Sequence, residues 1–241
     1  MLQTNKQYEL SVNGAKLIAD ISGALYWPAA EAVIVADLHF EKGSAYAARG
    51  VALPPYDTAA TLKRLAALIA AYRPKMLISL GDSFHDDYWA ARMAAQDRDA
   101  LLHMVSDLQV KWVTGNHDPT PPKGLPGAAA ELFHMHHDGA LVMRHEPLPR
   151  HDAAFQAGEL AGHLHPCGKL RQRGRSLRRR CFIADDSRAI LPAFGALTGS
   201  LNVRDAAFDD LFTAGAYQVV LLGQDQMASV AVNRLLPDRA R

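Results

Sequence analysis

AVIVADLHF, at residues 32–40, decides the fold together with MLISLGDSFHD at 76–86 and VKWVTGNHDP at 110–119. Each segment begins with a short apolar run and passes at once into a polar cluster. Short apolar runs bounded by Gly or polar residues are typical of buried strands, although periodicity alone does not separate them from buried helix. The three segments therefore predict three strands, each of which ends in a polar loop.

Two helical patterns lie between these runs. In the first, Leu62, Leu65 and Ile69 recur at helical spacing until Pro74 ends the pattern. The second covers residues 88–108 and carries apolar side chains on its inner face. Alternating strands and helices predict parallel strands joined by right-handed crossovers, so we expect a layered α/β core.

The rest of the chain predicts further strands. Their signals, which are alternation or short apolar runs next to turn residues, occur at 8–27, 140–143, 159–161, 170–191 and 217–232. Residues 119–127 are rich in Pro and Gly and predict a loop that is a candidate lid. Because no repeat or long linker divides the chain, residues 1–241 are predicted to form a single domain.

Composition restricts the classes of function. The chain has 241 residues, and 26 Lys and Arg against 25 Asp and Glu give a formal net charge of +1, which excludes a histone-like polycation. No signal core and no run of about 18 apolar residues occurs, so we expect a cytoplasmic protein with no membrane partner. Cys167 and Cys181 are too few for a disulfide scaffold or a thiolate zinc cage.

Five of the apolar runs are followed at once by side chains that bind metals. They are, in chain order, Asp37, His39, Asp82, Asn116, His145, His163 and His165. Because ligands of α/β sheets bind beyond the carboxyl ends of the strands, these side chains are expected to converge on one site. Carboxylate, amide and imidazole ligands suit manganese, iron(II), zinc or magnesium. These seven side chains exceed the number of ligands that one ion needs and suit two ions that share a carboxylate. Two such ions can activate a water molecule and hold the phosphoryl oxygens of a substrate.

The order of these motifs resembles the calcineurin-like binuclear metallophosphoesterases. Four of them are similar to the bacterial DNA-ligase-associated group of that family: GDSFHD at 81–86, GNHDP at 115–119, HEP at 145–147 and GHLHP at 162–166. The resemblance implies a four-layer α/β sandwich in which helices flank two mixed β-sheets. It also implies two divalent ions, with manganese first and iron, zinc or magnesium as alternatives.

The resemblance implies a role for each side chain. The first metal would be bound by Asp37, His39 and His165, the second by Asn116, His145 and His163, and Asp82 would bridge them. His117 would protonate the leaving oxygen or stabilise phosphoryl charge, with a purely structural neighbour of the metals as the alternative. Asp118 would be the carboxylate that orients an imidazole.

Other residues leave several interpretations open. His85 stands where many relatives carry an acid or amide, so it contacts the substrate, supports the metal ligands from outside, or has no catalytic part. Arg144 precedes a ligand where a small residue is common in the family. We interpret His134, His136 and His137 as a solvated loop rather than a metal site, because no acid partner accompanies them.

A basic segment begins four residues after the last ligand. Four of its cations alternate along the chain, namely Lys169, Arg171, Arg173 and Arg175. On one extended strand they would share a face and contact a phosphate backbone, whereas a plain solvated surface is the alternative. A hairpin that turns at Gly174 would also place Cys167 opposite Cys181.

The family resemblance implies a metal-dependent phosphodiesterase whose substrate is DNA. It points to an endonuclease for single-stranded or flapped DNA, active in repair beside an ATP-dependent DNA ligase and a helicase. One alternative is a phosphatase or small-molecule phosphodiesterase, for which the basic segment is only surface. The other is a non-catalytic scaffold, which would have lost ligands that this sequence retains.

Overall fold

The computed structural model describes residues 6–51, 53–172 and 174–238. In these ranges seven strands form a first sheet, namely β1 (Gln7–Val12), β2 (Ala15–Asp20), β3 (Leu25–Trp27), β4 (Ala32–Val35), β5 (Met76–Leu80), β6 (Gln109–Val113) and β7 (Ala128–Ala130). Nine form a second, namely β8 (Leu132–His136), β9 (Ala140–Arg144), β10 (Glu159–Ala161), β11 (Pro166–Gln172), β12 (Arg175–Ala184), β13 (Arg188–Ile190), β14 (Leu201–Asn202), β15 (Gln218–Leu222) and β16 (Met227–Val230). The α-helices are α1 (Lys42–Ala48), α2 (Asp57–Tyr72), α3 (Trp89–Arg92) and α4 (Ala95–Val105). Three short 3₁₀ helices lie at Pro28–Ala30, Ala206–Phe208 and Val232–Arg234.

The first sheet joins an antiparallel part to a parallel part. Its order is β1-β2-β3-β4-β5-β6-β7, with antiparallel pairing as far as β4 and parallel pairing from β4 to β7. Helices α1 and α2 connect β4 to β5, and α3 and α4 connect β5 to β6. The predicted alternation of strands and helices is therefore confirmed.

The second sheet is also mixed. Its order is β14-β11-β12-β13-β10-β9-β8, and β15 pairs with β12 and with β16. Strand β10 pairs in parallel with both β9 and β13, whereas the β8–β9, β11–β12 and β15–β16 pairs are antiparallel. The carboxyl ends of β9 and β10 therefore lie side by side, as those of β4, β5 and β6 do in the first sheet.

The main apolar core lies between the two sheets. Ile34 and Ile78 of the first sheet and Phe182 of the second belong to one buried cluster. A second cluster packs α2 and α4 on the outer face of the first sheet, through side chains such as Leu65 and Leu101. The predicted pair of mixed sheets flanked by helices is confirmed. Among the described residues, the outer face of the second sheet is covered by the 3₁₀ helix at Ala206–Phe208 and by loops.

Two local predictions are wrong. The single helix expected over residues 88–108 is divided into α3 and α4, because Met93 adopts an extended conformation with φ −61° and ψ 127°. No Pro or Gly marks that break in the sequence. His134 and His136 lie on strand β8 rather than in a loop, with their side chains exposed as expected.

The register of the β11–β12 hairpin also differs from the prediction. Gln172 pairs with Arg175, so only two positions separate the strands, and Cys167 lies opposite Arg180 instead of Cys181. A shift of one residue reverses the face on which a side chain lies. The two cysteines are therefore on opposite faces of the hairpin, and both are buried free thiols.

Among the described residues, no helix combines the length and apolar composition that crossing a membrane requires.

An ion-pair cluster joins strands β9, β10 and β13 of the second sheet. Glu159 is 2% exposed and lies 3.3 Å from both Arg144 Nε and Arg188 Nη1. Arg188 is fully buried and also lies over the ring of Phe155, 4.2 Å from its centroid. The pairing with Glu159 accounts for Arg144, which stood out in the sequence because a small residue is common at that position.

Glu159→Ala should lower the free energy of unfolding by about 3–5 kcal/mol, because it leaves the fully buried Arg188 and the partly buried Arg144 without their carboxylate. Urea unfolding measures the change. Glu9→Ala is the matched control, since Glu9 is exposed on β1, and should stay within about 0.5 kcal/mol of the parent. Equal stability of the two variants would show that Glu159 does not hold the cluster together.

Candidate metal centre

The polar loops after five strands meet at one end of the two sheets. Within the first sheet, Asp37 N donates to the Gly81 carbonyl at 3.2 Å, which ties the loop after β4 to the loop after β5. Between the sheets, His163 N donates to Asp37 Oδ2 at 3.1 Å. The convergence predicted from the strand ends is therefore present in the structure.

A first group of three predicted ligands surrounds one point. The ligand atoms of Asp37, His39 and His165 all lie within 4.8 Å of one another. His165 Nε2 is 3.2 Å from Asp37 Oδ1, and His39 Nε2 is 3.4 Å from His165 Nε2. Imidazole nitrogens and a carboxylate oxygen that face a common point can coordinate one divalent ion.

A second group lies beside the first. Asn116 Oδ1 is 2.9 Å from His145 Nε2 and 3.1 Å from His163 Nδ1. His145 Nδ1 lies 2.9 Å from the Leu80 carbonyl, so Nδ1 is the donor and Nε2 keeps its lone pair for a metal.

The Asp82 carboxylate stands between the two groups. Its Oδ2 is 3.7 Å from His39 Nε2 of the first group, and its Oδ1 is 3.4 Å from His145 Nε2 of the second. Each oxygen thus faces a different group, which is the arrangement that a bridging ligand requires.

The chemistry of these donors fits two divalent cations. Burial lowers the pKa of His39 to about 2, and His165 acts in the same direction. The imidazole of His39 is therefore neutral and has a lone pair to offer. Carboxylates, an amide and imidazoles suit hard and borderline ions, and no thiolate takes part.

Comparison with solved structures identifies the fold that carries these side chains. The nuclease MPE of Pseudomonas putida is similar, with 27% identity and a TM-score of 0.66 over 93% of this chain and 100% of that one. The chain has the metallophosphoesterase fold. The phosphoesterase Yfce of E. coli and a predicted phosphoesterase of Streptococcus pneumoniae are more distant. They share 15% and 13% identity over 84% and 86% of this chain (99% and 92% of theirs), with TM-scores of 0.42 and 0.31. No family model matches the chain, and no curated protein matches it by sequence.

Backbone strain is concentrated in the ligand loops of this metallophosphoesterase fold. Five of the seven predicted ligands have φ between 45° and 67°, namely Asp37, His39, Asp82, His163 and His165. The left-handed conformation costs residues with a side chain roughly 1–2 kcal/mol each. Such strain is retained mainly at functional sites, where the surrounding structure holds it.

Two glycines of the motifs give the carboxylates room. A Cβ atom at Gly115 would overlap the Asp82 carboxylate, and one at Gly162 would lie 2.6 Å from Asp37 Oδ2. The GNHD and GHLH motifs therefore need glycine for steric reasons, since each carboxylate packs directly against backbone.

His117 lies at the edge of the first group. Its backbone N–H donates to Asp82 Oδ1 at 2.9 Å, and its Nδ1 donates to the His85 carbonyl at 3.0 Å. Because Nδ1–H is engaged by that carbonyl, Nε2 is the nitrogen that can exchange a proton with a substrate.

His85 is buried next to His117. Its ring stacks on that of His117 with centroids 4.7 Å apart, and it lies 5.7 Å from the ring of Tyr46 on helix α1. Burial lowers the pKa of His85 to about 4, with His117 as the next contribution. The structure thus brings His85 to the site as a neutral imidazole, and a direct contact with substrate stays a prediction.

Asp118 has a different partner from the one predicted. Its carboxylate accepts from the backbone N–H groups of Asp82 at 2.9 Å, Ser83 at 2.8 Å and Gly115 at 3.0 Å. Burial raises the pKa of Asp118 to about 7, and the charge of Asp82 acts in the same direction, whereas the backbone N–H groups of Phe84, Gly115 and Ser83 act to lower it. Asp118 therefore fixes the loop that carries Asp82 instead of orienting an imidazole, because the chain turns its side chain back under that loop.

Lys42 was not identified from the sequence. It begins helix α1 and, with Ser200, lines the same cleft of about 320 Å³ as five of the predicted ligands and His117. Burial lowers the pKa of Lys42, whereas Asp82 and Asp37 act to raise it. Its one sequence signal is its position three residues after His39, and a lone lysine there is too common to count.

The predicted arrangement of the basic segment on one face of a strand is only partly correct. Lys169 and Arg171 lie on one face of β11, but Arg175 is paired with Gln172 and so lies on the opposite face. The prediction of one shared face is wrong for Arg175, because the chain turns before reaching it. Arg173 lies outside the described residues.

Proposed function

We propose that the protein is a metal-dependent phosphodiesterase that cleaves DNA internally, with single-stranded or flapped DNA as substrate. The observation that carries this proposal is the Asp82 carboxylate, whose two oxygens face two separate groups of metal-binding side chains. The similarity to a nuclease over 93% of the chain supports a nucleic acid as the substrate, and the choice of DNA rests on the motif resemblance.

The chain's own residues would divide the work. Asp37, His39 and His165 would hold one ion, Asn116, His145 and His163 the other, and Asp82 both. Divalent ions bound there lower the pKa of water and neutralise charge on phosphoryl oxygens. In its doubly protonated form, His117 would donate the Nε2 proton to the leaving oxygen while its Nδ1–H stays bound to the His85 carbonyl. Asp118 would keep Asp82 in place by accepting hydrogen bonds from the backbone N–H groups of Asp82 and Ser83.

The biological setting belongs to the same proposal. Manganese is the first candidate for the metal, and iron, zinc and magnesium remain alternatives because the donor set accepts each of them. A role in DNA repair, with an ATP-dependent DNA ligase and a helicase as partners in the cytoplasm, rests on the motif resemblance.

Nuclease assays with each metal test this function. Labelled single-stranded, duplex and flap DNA should be compared with a nitrophenyl phosphodiester and a nitrophenyl phosphomonoester. We expect internal cleavage of single-stranded or flapped DNA. Turnover of the monoester without cleavage of DNA would favour a phosphatase instead, and no turnover of any substrate with any metal would favour a scaffold.

Lys42→Met should lower kcat/KM for DNA by about 10- to 100-fold, the range expected when one charged hydrogen bond to a phosphate is lost. Methionine keeps the length and apolar stem of the side chain. Lys63→Met is the matched control, since Lys63 is exposed on α2, and should behave like the parent. Mass spectrometry of bound metal accompanies the assay. Parent-like kinetics for Lys42→Met would remove Lys42 from the site.

A further inference from the structure

A cationic face of the β11–β12 hairpin begins at the wall of the metal cleft. The hairpin leaves the cleft directly after His165, and its register pairs Lys169 with Arg178. Arg171, two residues after Lys169 on the same strand, shares their side of the sheet. We call these three residues the basic face.

Arg178 connects the basic face to the cleft. Its Nη2 donates to the Ser200 carbonyl at 2.7 Å, and its Nε donates to Ser200 Oγ at 3.4 Å. Ser200 itself lines the cleft beside His163 and His165. A polyanion that leaves the metal centre past Ser200 would therefore reach Arg178 first and Lys169 next.

The end of the described chain places a carboxylate on this face. Arg178 Nη1 donates to Asp238 Oδ2 at 2.7 Å, and Lys169 Nζ lies 3.6 Å from Asp238 Oδ1. The segment is held there because Leu236 N donates to the Lys169 carbonyl at 2.7 Å and Asn202 Nδ2 donates to the Leu236 carbonyl at 3.0 Å. The two carboxylate oxygens of Asp238 thus contact the same donors that a phosphate would use.

We propose that the basic face binds the DNA backbone next to the cleaved phosphate, and that Asp238 occupies the phosphate position until DNA displaces it. That the polyanion is DNA rests on the proposed function. The Arg178 and Asp238 side chains are 40% and 48% exposed, and exposed ion pairs are worth only about 0–1 kcal/mol. Replacement of the Asp238 carboxylate by a DNA phosphate therefore costs little free energy. A net charge of +1 makes such a local face necessary for attraction.

Asp238→Asn tests the proposal by removing the competing charge while keeping the shape of the side chain. Binding of a fluorescent oligothymidylate to metal-free protein, followed by anisotropy between about 50 and 200 mM salt, gives affinity without cleavage. We expect up to about tenfold tighter binding at low salt and a salt slope steeper by about one unit, because two cations are freed for phosphates. The matched control is Asp225→Asn, which makes the same charge change at an exposed position in the β15–β16 turn and should bind like the parent.

A second variant tells competition from a general charge effect. In an Arg178→Gln background, Asp238→Asn should gain much less affinity, because the two changes act on one contact. An equal gain for Asp238→Asn and Asp225→Asn, or weaker binding by Asp238→Asn, would overturn the proposal. If DNA binds with these differences but no metal supports cleavage, only the nuclease function fails. If the parent cleaves DNA and Asp238→Asn binds like the parent, only this inference fails.

Discussion

Asp82→Asn should abolish phosphodiester hydrolysis, with a loss of roughly three orders of magnitude or more in kcat and a reduced metal content. Asparagine is the informative substitution because Asp82 has φ 48°, a conformation that Asn tolerates better than Ala does. The change removes the negative charge that two cations share and leaves only one strong acceptor oxygen. Both groups of ligands, which lie on opposite sides of Asp82, should therefore lose affinity together.

The measurement combines metal analysis with kinetics. Metal stoichiometry after dialysis against manganese, turnover of single-stranded DNA and thermal unfolding should be followed in parallel. Asp107→Asn, an exposed change just after α4, is the control and should keep metal and activity. A stably folded Asp82→Asn protein that retains two ions and parent-like turnover would contradict the bridging role.

The strands and the ligand set could be predicted because their signals are local. A run such as AVIV is short, apolar and branched, and the polar residues directly after it must lie at the carboxyl end of its strand. Parallel pairing then brings the ends of β4, β5 and β6 together without any information about distant contacts. Asp37, Asp82 and Asn116 could therefore be placed near one another from the sequence.

The features that were missed depend on long-range geometry. Asp118 holds the loop that carries Asp82. These two residues are 36 positions apart in the sequence, and no spacing rule predicts their contact. Lys42 reaches the cleft because α1 starts at its rim. The face of Arg175 depends on a single position in a turn, and a shift of one residue reverses every side chain beyond it.

Other expectations stay predictions because they concern more than the chain's own geometry. The identity of the metal, the DNA structure that is cleaved, the ligase and helicase partners and the extent of the domain all belong to this group. The donor set narrows the choice of metal without selecting one, because carboxylates, an amide and imidazoles accept several divalent ions.

His117→Ala should lose several orders of magnitude in kcat on DNA while retaining its metal ions. The ring of His117 lines the cleft with the ligands, and its Nδ1 is engaged by the His85 carbonyl, which leaves Nε2 for proton transfer. The alkoxide that leaves DNA is a strong base and needs a proton. Nitrophenolate is a weak base and leaves without help, so a nitrophenyl diester should lose much less activity.

The ratio between the two substrates is the decisive quantity, because it separates proton donation from positioning. If His117 only holds the phosphate or supports the loop, both substrates depend on it equally, and the two losses in kcat should be alike. His103→Ala, an exposed change on α4, controls for removal of an imidazole and should leave both rates intact. Bound metal equal to that of the parent would show that the Asp82 bridge is undisturbed. This is expected because Asp82 Oδ1 accepts a hydrogen bond from the backbone N–H of residue 117, which alanine retains. A large loss on DNA, a small loss on the nitrophenyl diester and full metal occupancy would together identify His117 as the proton donor.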